Sequence, residues 1–394
     1  MAVRKRTWKT AEGKEHEAWI VDYRAMTKEG KVKRYTETFE CDARHAEVNV
    51  NIRKGIHVAP TDSITIREAA DLWLQACARK ELERSTVESY KSEAEHLLPL
   101  VGHVKLTHFS MPAVRKLEDA LSADHSPVMV KRCLKTLGCI FANAQDEGLV
   151  VVNPVRERTR KRNGKSDVKR SSRDKGKLKV GVHIPSTAEM KAIINAATSL
   201  RWRVFLMTAA FTGLRAGELR GLRWENVHLD KSELNVMERA DKYRQIGNPK
   251  SRDSSRTVPL VRVLVAALKE WKDRPEDNGL ARLRGPNELV FPAERASVLC
   301  LQTICESGYH PAVVRAGLVT KDGKPKYTGL HTLRHFYASW CLAPKERGGC
   351  GLDYKTVQEQ MGHSKISMTL DTYGHLFPVG AEVMNEAADK LLGS

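Results

Sequence analysis

Apolar residues recur at helical spacing along most of this chain and alternate in only a few short stretches. The clearest helical pattern fills residues 64–155. Thr65 with Glu68, and Ser85 with Glu88, have the spacing of capping boxes. The first predicts a helix burying Ala69, Leu72, Trp73 and Ala76. The second predicts one with Val87, Tyr90, Ala94, Leu97 and Leu98 on a single stripe. Pro112 opens a third helix. Ser126 and Pro127 open a long fourth, with Val130, Leu134, Leu137, Phe141 and Ala144 inward and Gly148 as its stop. Trp73 and Tyr90 fall on these stripes and read as core residues.

Strand patterns flank this bundle. Trp19, Val21 and Tyr23 alternate, the stretch around Gly30 reads as a turn, and residues 32–39 read as the returning strand, with a short helix over 43–53. Beyond the bundle, residues 156–181 hold twelve basic residues against three acidic ones and few long apolar side chains. Such a segment buries too little apolar surface to fold alone and reads as a linker. From residue 183 the helical pattern returns. Ser186 and Glu189 form another capping-box pair, residues 201–211 are an apolar helix, and 234–239 and 256–260 read as strands joined by a basic loop. Residues 261–271 are again helical. After Pro378, residues 379–392 place Val383, Met384, Ala387, Ala388, Leu391 and Leu392 on one helical stripe. The expected class is mainly α and multidomain (α+β): a small sheet-and-helix module over 1–58, a helical bundle over 64–155, the linker, and a mixed domain over 183–394.

Charge narrows the partner. The 394 residues include 66 Lys and Arg against 48 Asp and Glu, a net charge of +18. Such an excess points to a polyanion, most often nucleic acid. The eight cysteines are scattered without a C-x-x-C pair and read as buried, reduced thiols rather than a zinc site. The basic N-terminus is broken by charges and no apolar run spans a bilayer, so the expectation is a cytoplasmic protein without membrane contact.

The chemistry lies in the last domain. His363 follows Gly362, and Tyr373 comes ten residues later, with Ile366, Met368 and Leu370 between them as apolar anchors. A tyrosine hydroxyl is a poor nucleophile at a pKa near 10 and needs surrounding cations and a proton acceptor. Arg215 follows Thr212-Gly213, and His331 and Arg334 stand three apart, sharing a helical face. In this order the residues resemble the tyrosine recombinase (phage integrase) family, whose signature is Arg, Lys, His-x-x-Arg, His and Tyr.

The resemblance implies a set of roles. Arg215 and Arg334 clamp the scissile phosphate, as guanidiniums match its oxygens and keep their charge. His331 is a hydrogen-bond partner or general base, and His363 donates to a phosphate oxygen. Tyr373 attacks to give a 3′-phosphotyrosyl link, later resolved by a 5′-hydroxyl from a second duplex. Lys250 before the returning strand, or its rival Lys242, protonates the leaving oxygen. Glu218, three residues after Arg215, is taken to hold that guanidinium in place, the alternative being a plain surface pair. His335 is off the His331–Arg334 face and reads as structural.

The same resemblance makes 1–58 an arm-type DNA-binding module and 64–155 a core-binding domain. It sets Arg160, Lys161, Arg162, Lys169, Arg170 and Arg173 of the linker along phosphates. It requires no metal, ATP or other cofactor. The partners are double-stranded DNA attachment sites and a homotetramer on DNA, with DNA-bending and excision-directionality proteins as accessories. The host compartment is a bacterial cytoplasm, at the nucleoid. The C-terminal helix packs in cis or on a neighbouring protomer. The implied function is integration, with excision, of a prophage or other mobile element. A chromosome-dimer resolvase, a type IB topoisomerase and a DNA-binding protein with an inactive site are the rivals. One departure from the family pattern is a long loop over 343–351.

Overall fold

The computed structural model describes residues 2–9, 15–26, 32–39, 63–80, 82–163, 177–248, 255–273, 288–293, 297–377, 388–389 and 391–392. The chain divides into two compact units, Met1–Arg170 and Ser171–Ser394.

In the first unit, β1 (Ala2–Lys9), β2 (Glu15–Met26) and β3 (Val32–Phe39) form an antiparallel sheet in sequence order. The pairing of Trp19 with Phe39 and of Tyr23 with Tyr35 fixes the register of the outer hairpin. Strand β1 was not anticipated, because its Lys and Arg residues interrupt the apolar alternation. The helix expected over 43–53 lies outside the described residues.

The helical part runs α1 (Ile66–Arg79), α2 (Arg84–Val101), α3 (Met111–Asp124), α4 (Pro127–Asp146) and α5 (Pro154–Asn163). The Thr65–Glu68 capping box closes in both directions. The Ser85–Glu88 box does not form: the helix starts two residues earlier, Glu83 takes the cap position, and Glu88 pairs with Arg84 at 3.0 Å instead. On α1 the buried stripe is Ile66, Ala69, Ala70, Trp73 and Cys77, while Leu72 faces out at 40 % exposure because it stands one position off that stripe. The interior contains one buried carboxylate, Glu93, held by Arg132 at 2.8 Å and by the Thr136 hydroxyl. Helix α5 continues through residues 156–163, which were expected to be linker.

The second unit is built on α7 (Leu200–Thr212). Residues 204–210 of that helix are buried on every face, as befits a helix enclosed by others. Around it stand α6 (Thr187–Asn195), capped by the Ser186–Glu189 box, and the short α8 (Ala216–Arg220). A three-stranded antiparallel sheet has the order β4 (Val227–His228), β5 (Glu233–Val236), β8 (Arg256–Pro259). Between β5 and β8, the expected loop contains a hairpin of its own, β6 (Arg239–Ala240) with β7 (Ile246–Gly247). Helix α9 (Arg262–Asp273) follows, and then α10 (Leu301–Thr303), the π-helical α11 (Ile304–Tyr309) and α12 (His310–Arg315) end to end. The chain closes with α13 (His331–Leu342), α14 (Tyr354–Met361) and α15 (Ile366–Tyr373).

Helix α13 packs on α7 through a close approach at Gly213. This glycine caps α7 at φ 61°, and a Cβ there would lie 2.3 Å from the Tyr337 ring. The loop over 343–351 folds back onto the end of α13, with Cys350 N–H donating to Trp340 C=O and Leu352 N–H to Cys341 C=O. Of the described cysteines, Cys77, Cys133 and Cys341 are buried as expected, but Cys300 is exposed at the start of α10. Gly213→Ala combines a disfavoured backbone with an overlap. It should cost about 2–4 kcal/mol in a thermal or urea melt.

Candidate active site

Arg215, Arg334, His331, His363 and Tyr373 come together where α7, α13 and α14 end or begin. Arg334 sits on the first turn of α13 and is 2 % exposed. Its guanidinium donates to the Gly213 carbonyl at the end of α7 and, at 2.6 Å, to the Met361 carbonyl at the end of α14. One buried cation thus ties together the two turns that carry Arg215 and His363. The C-terminal end of a helix offers unsatisfied carbonyls and the negative end of the macrodipole, which favours a cation. Burial and the neighbouring Arg215 pull Arg334 down to about 9, which leaves it charged at neutral pH.

Arg215 caps α8 and is half-buried. It donates to the Gly362 carbonyl at 2.9 Å and pairs with Glu218 at 2.8 Å. Glu218 also accepts from the Arg215 backbone N–H at 2.9 Å. Glu218 is therefore not a surface partner: it is 3 % exposed and gathers a second guanidinium, Arg256, at 2.8 Å. Burial alone would raise its pKa, but hydrogen bonds and charge from Arg256, then Arg215, hold the carboxyl below its ordinary value.

Gly362 caps α14 at φ 61° and turns the chain so that His363 points inward, 9 % exposed. Nδ1 of His363 lies 2.9 Å from the Thr369 hydroxyl of α15. Burial first, then Arg334, Arg215, Arg256 and His331, push its pKa down to about 4. His331 is exposed at the start of α13, and partial desolvation with the charges of Arg334 and Arg215 lowers its pKa.

His335 departs from its expected structural role. Its Nδ1 is 2.7 Å from the Tyr373 hydroxyl, and its ring stands edge-on to that of His331, 4.5 Å between centres. Residues four apart on a helix share a face, so the spacing of His331 and His335 already contained this contact. Burial, His331 and Arg334 push the His335 pKa down to about 4, which makes the imidazole neutral. Tyr373 itself is 1 % exposed, and its pKa is pushed up to about 12 by burial, opposed by Arg334. The apolar residues before it do not anchor the helix. Ile366, Met368 and Leu370 are 43 %, 46 % and 43 % exposed, while Thr369 and Tyr373 are its buried side chains.

Lys250 lies outside the described residues. Its rival Lys242 sits at the tip of the β6–β7 hairpin, with Nζ 4.9 Å from the Tyr243 ring centre. Arg160, Lys161 and Arg162 fall on the last turns of α5. Lys169, Arg170 and Arg173 lie outside the described residues, as does most of 379–392. Leu391 and Leu392, at the end of that stretch, are 84 % and 80 % exposed. Sequence reading missed Arg256 and the contact of His335. Among the described residues no three His, Cys, Asp or Glu gather as a metal site, and no helix is long and apolar enough to cross a membrane.

Residues 186–378 match the model of the phage integrase family. A tyrosine recombinase XerC-like protein of Caldanaerobacter subterraneus subsp. tengcongensis is 28 % identical over 370 residues, covering 89 % of this chain and 87 % of its own. The ICEBs1 integrase of Bacillus subtilis is 26 % identical over 297 residues, covering 73 % and 72 %. Among solved structures, the Tn1549 transposon integrase in complex with a circular intermediate DNA shares the fold with a TM-score of 0.62 at 16 % identity, over 84 % of this chain and 100 % of that one. A lambda integrase dimer bound to a COC′ core site gives 0.56 at 17 % identity, over 95 % and 97 %.

His363, buried, and His335, half-buried, predict acid sensitivity. Unfolded imidazoles take a proton near 6.5, whereas His335 and His363 take one only near 4 in the folded unit. Between these values the unfolded chain binds more protons, so stability falls as pH is lowered from about 6.5 and its loss is complete below about 4. Melting temperatures across this window should show the decline, and His335→Gln should flatten it.

Proposed function

The chain belongs to the phage integrase family of tyrosine recombinases, and from that premise we propose that Tyr373 cuts one DNA strand and holds its 3′-phosphate while the strand is exchanged. The observation that carries this reading is that the Tyr373 hydroxyl is hydrogen-bonded to His335 on the same helix whose first turn carries Arg334, while Arg334 and Arg215 hold the turn that carries His363.

Cleavage places extra negative charge on a pentacoordinate phosphorus. Fixed cations and hydrogen-bond donors stabilise that charge without reorganising. In this reading the half-exposed Arg215 meets the phosphate and the buried Arg334 raises the positive potential behind it. His331, exposed at the mouth, hydrogen-bonds to a phosphate oxygen, and His363 is its partner from the α14 turn. The O–H bond of Tyr373 breaks as its oxygen bonds phosphorus, its proton passing to His331 as general base, and the P–O5′ bond breaks as the leaving oxygen takes a proton from Lys250. The phosphotyrosyl link keeps the energy of the phosphodiester, so a 5′-hydroxyl from a second duplex can reverse the step.

The arrangement described is a resting one. With the hydroxyl near 12 and the imidazole beside it near 4, the proton stays on the tyrosine, and Tyr373 is too enclosed for a phosphate to reach. DNA must shift α15 before chemistry begins.

The net charge of +18 supports binding along phosphates, including those faced by Arg160, Lys161, Arg162, Lys169, Arg170 and Arg173. The matched relatives include integrases of mobile elements, which favours integration and excision of such an element by a homotetramer on its attachment sites, with accessory bending and directionality proteins. The sheet module at the start of the chain would then grip arm sites apart from the crossover.

Incubation with nicked duplexes tiled across the DNA flanking the coding sequence should give a denaturation-resistant protein–DNA adduct. Tyr373→Phe should bind the same fragment and form none; an adduct in that variant would sink the assignment. Arg215→Ala should slow adduct formation on the order of a hundredfold or more. Removing residues 1–58 should spare cleavage at the crossover fragment and impair complete integration, and equal integration efficiency would make that module an appendage.

A further inference from the structure

Arg256 begins β8, directly after the 249–254 segment that carries Lys250, and is not part of the motif that marks the site. It is nevertheless built into the same junction. Its side chain is 6 % exposed. Nε donates to the Gln360 carbonyl at 2.6 Å, and the two terminal nitrogens reach the two oxygens of Glu218 at 3.3 Å and 2.8 Å. A Cβ on Gly362 would lie 3.0 Å from this guanidinium, so the α14 turn and Arg256 are packed to fit each other.

The charges explain why a second arginine is needed. Glu218 orients Arg215 through both its backbone and its side chain. Alone, that ionised carboxylate would cancel the charge that Arg215 is meant to bring to a phosphate. In a poorly screened interior such cancellation is felt strongly. With Arg256 on the opposite side of the carboxylate, the trio of Arg215, Glu218 and Arg256 carries a net positive charge, and Glu218 can fix the geometry without neutralising the site.

We propose that Arg256 is a positioning residue for strand cleavage, whose charge balances Glu218 so that Arg215 keeps its own for the phosphate. The proposal deepens the reading of the site as a strand-cleavage centre and rests on it. It ties β8 to the arginine and histidine turns.

The test measures adduct formation on the nicked duplex together with DNA affinity. Arg256→Gln should slow adduct formation about ten- to a hundredfold at saturating DNA, with the dissociation constant changed about twofold or less. The deciding variant adds Glu218→Gln. Removing the negative charge restores the balance, so the double variant should recover at least about fivefold of the lost rate. Packing alone predicts the opposite, since the second change removes another ion-pair partner. A single variant as fast as the unaltered protein, or a double variant as slow as the single one, overturns the proposal. If Arg256→Gln melts below the assay temperature, Arg256→Lys keeps the charge without the fork. A rate within about fivefold of the unaltered protein then sustains the proposal, and a loss beyond about thirtyfold in a folded variant overturns it. No adduct with the unaltered protein, on any fragment it binds, overturns the reading of the site and this proposal with it.

Discussion

Three consecutive carbonyls at the end of α14 each receive a different arginine: Gln360 from Arg256, Met361 from Arg334 and Gly362 from Arg215. These arginines come from three separate parts of the chain, a strand, a helix and a turn. The last carbonyls of a helix have no partners within it. Here those orphan groups become the socket in which the cations are held. Each side solves the other's problem, because a buried guanidinium needs acceptors and a buried helix end needs donors.

The consequences spread from that socket. The turn at Gly362 is fixed, so His363 is aimed inward. Arg334 also reaches Gly213, so α7 and α14 cannot drift apart without uncovering a buried charge. Burial, with the collected positive charge, keeps His335 and His363 neutral at physiological pH. Among the described residues one carboxylate, Glu218, faces two of the three guanidiniums, and the imbalance of these groups is positive.

Much of this was legible in the sequence, for physical reasons that differ by residue. Gly213 and Gly362 mark helix ends because each adopts a left-handed backbone, and the Ser186–Glu189 box announces its helix locally. Arg215, His331, Arg334, His363 and Tyr373 stood out through order and spacing. Arg256 did not, since an arginine at a strand start in a basic segment looks like solvent-facing charge until Glu218 and α14 are brought beside it. His335 was misread although its four-residue spacing from His331 placed both on one face. Ile366, Met368 and Leu370 were misread because apolar character alone does not say which side of an eight-residue helix meets the protein. The Ser85–Glu88 pair shows that a capping motif is outcompeted when the preceding residue can start the helix.

Helix α15 has two buried side chains, and each ends in one hydrogen bond to a neutral histidine: Thr369 to His363 and Tyr373 to His335. Its remaining residues up to Leu370 lie on the surface. The cost of lifting it is therefore a local quantity, a small part of the free energy that holds the unit as a whole. On the reading proposed above, a protein built this way meets duplex after duplex without nicking it. The oxygen of Tyr373 is covered by default, and the right DNA has to displace two hydrogen bonds and the packing of its ring in the cluster with Tyr337, Val357 and Met361.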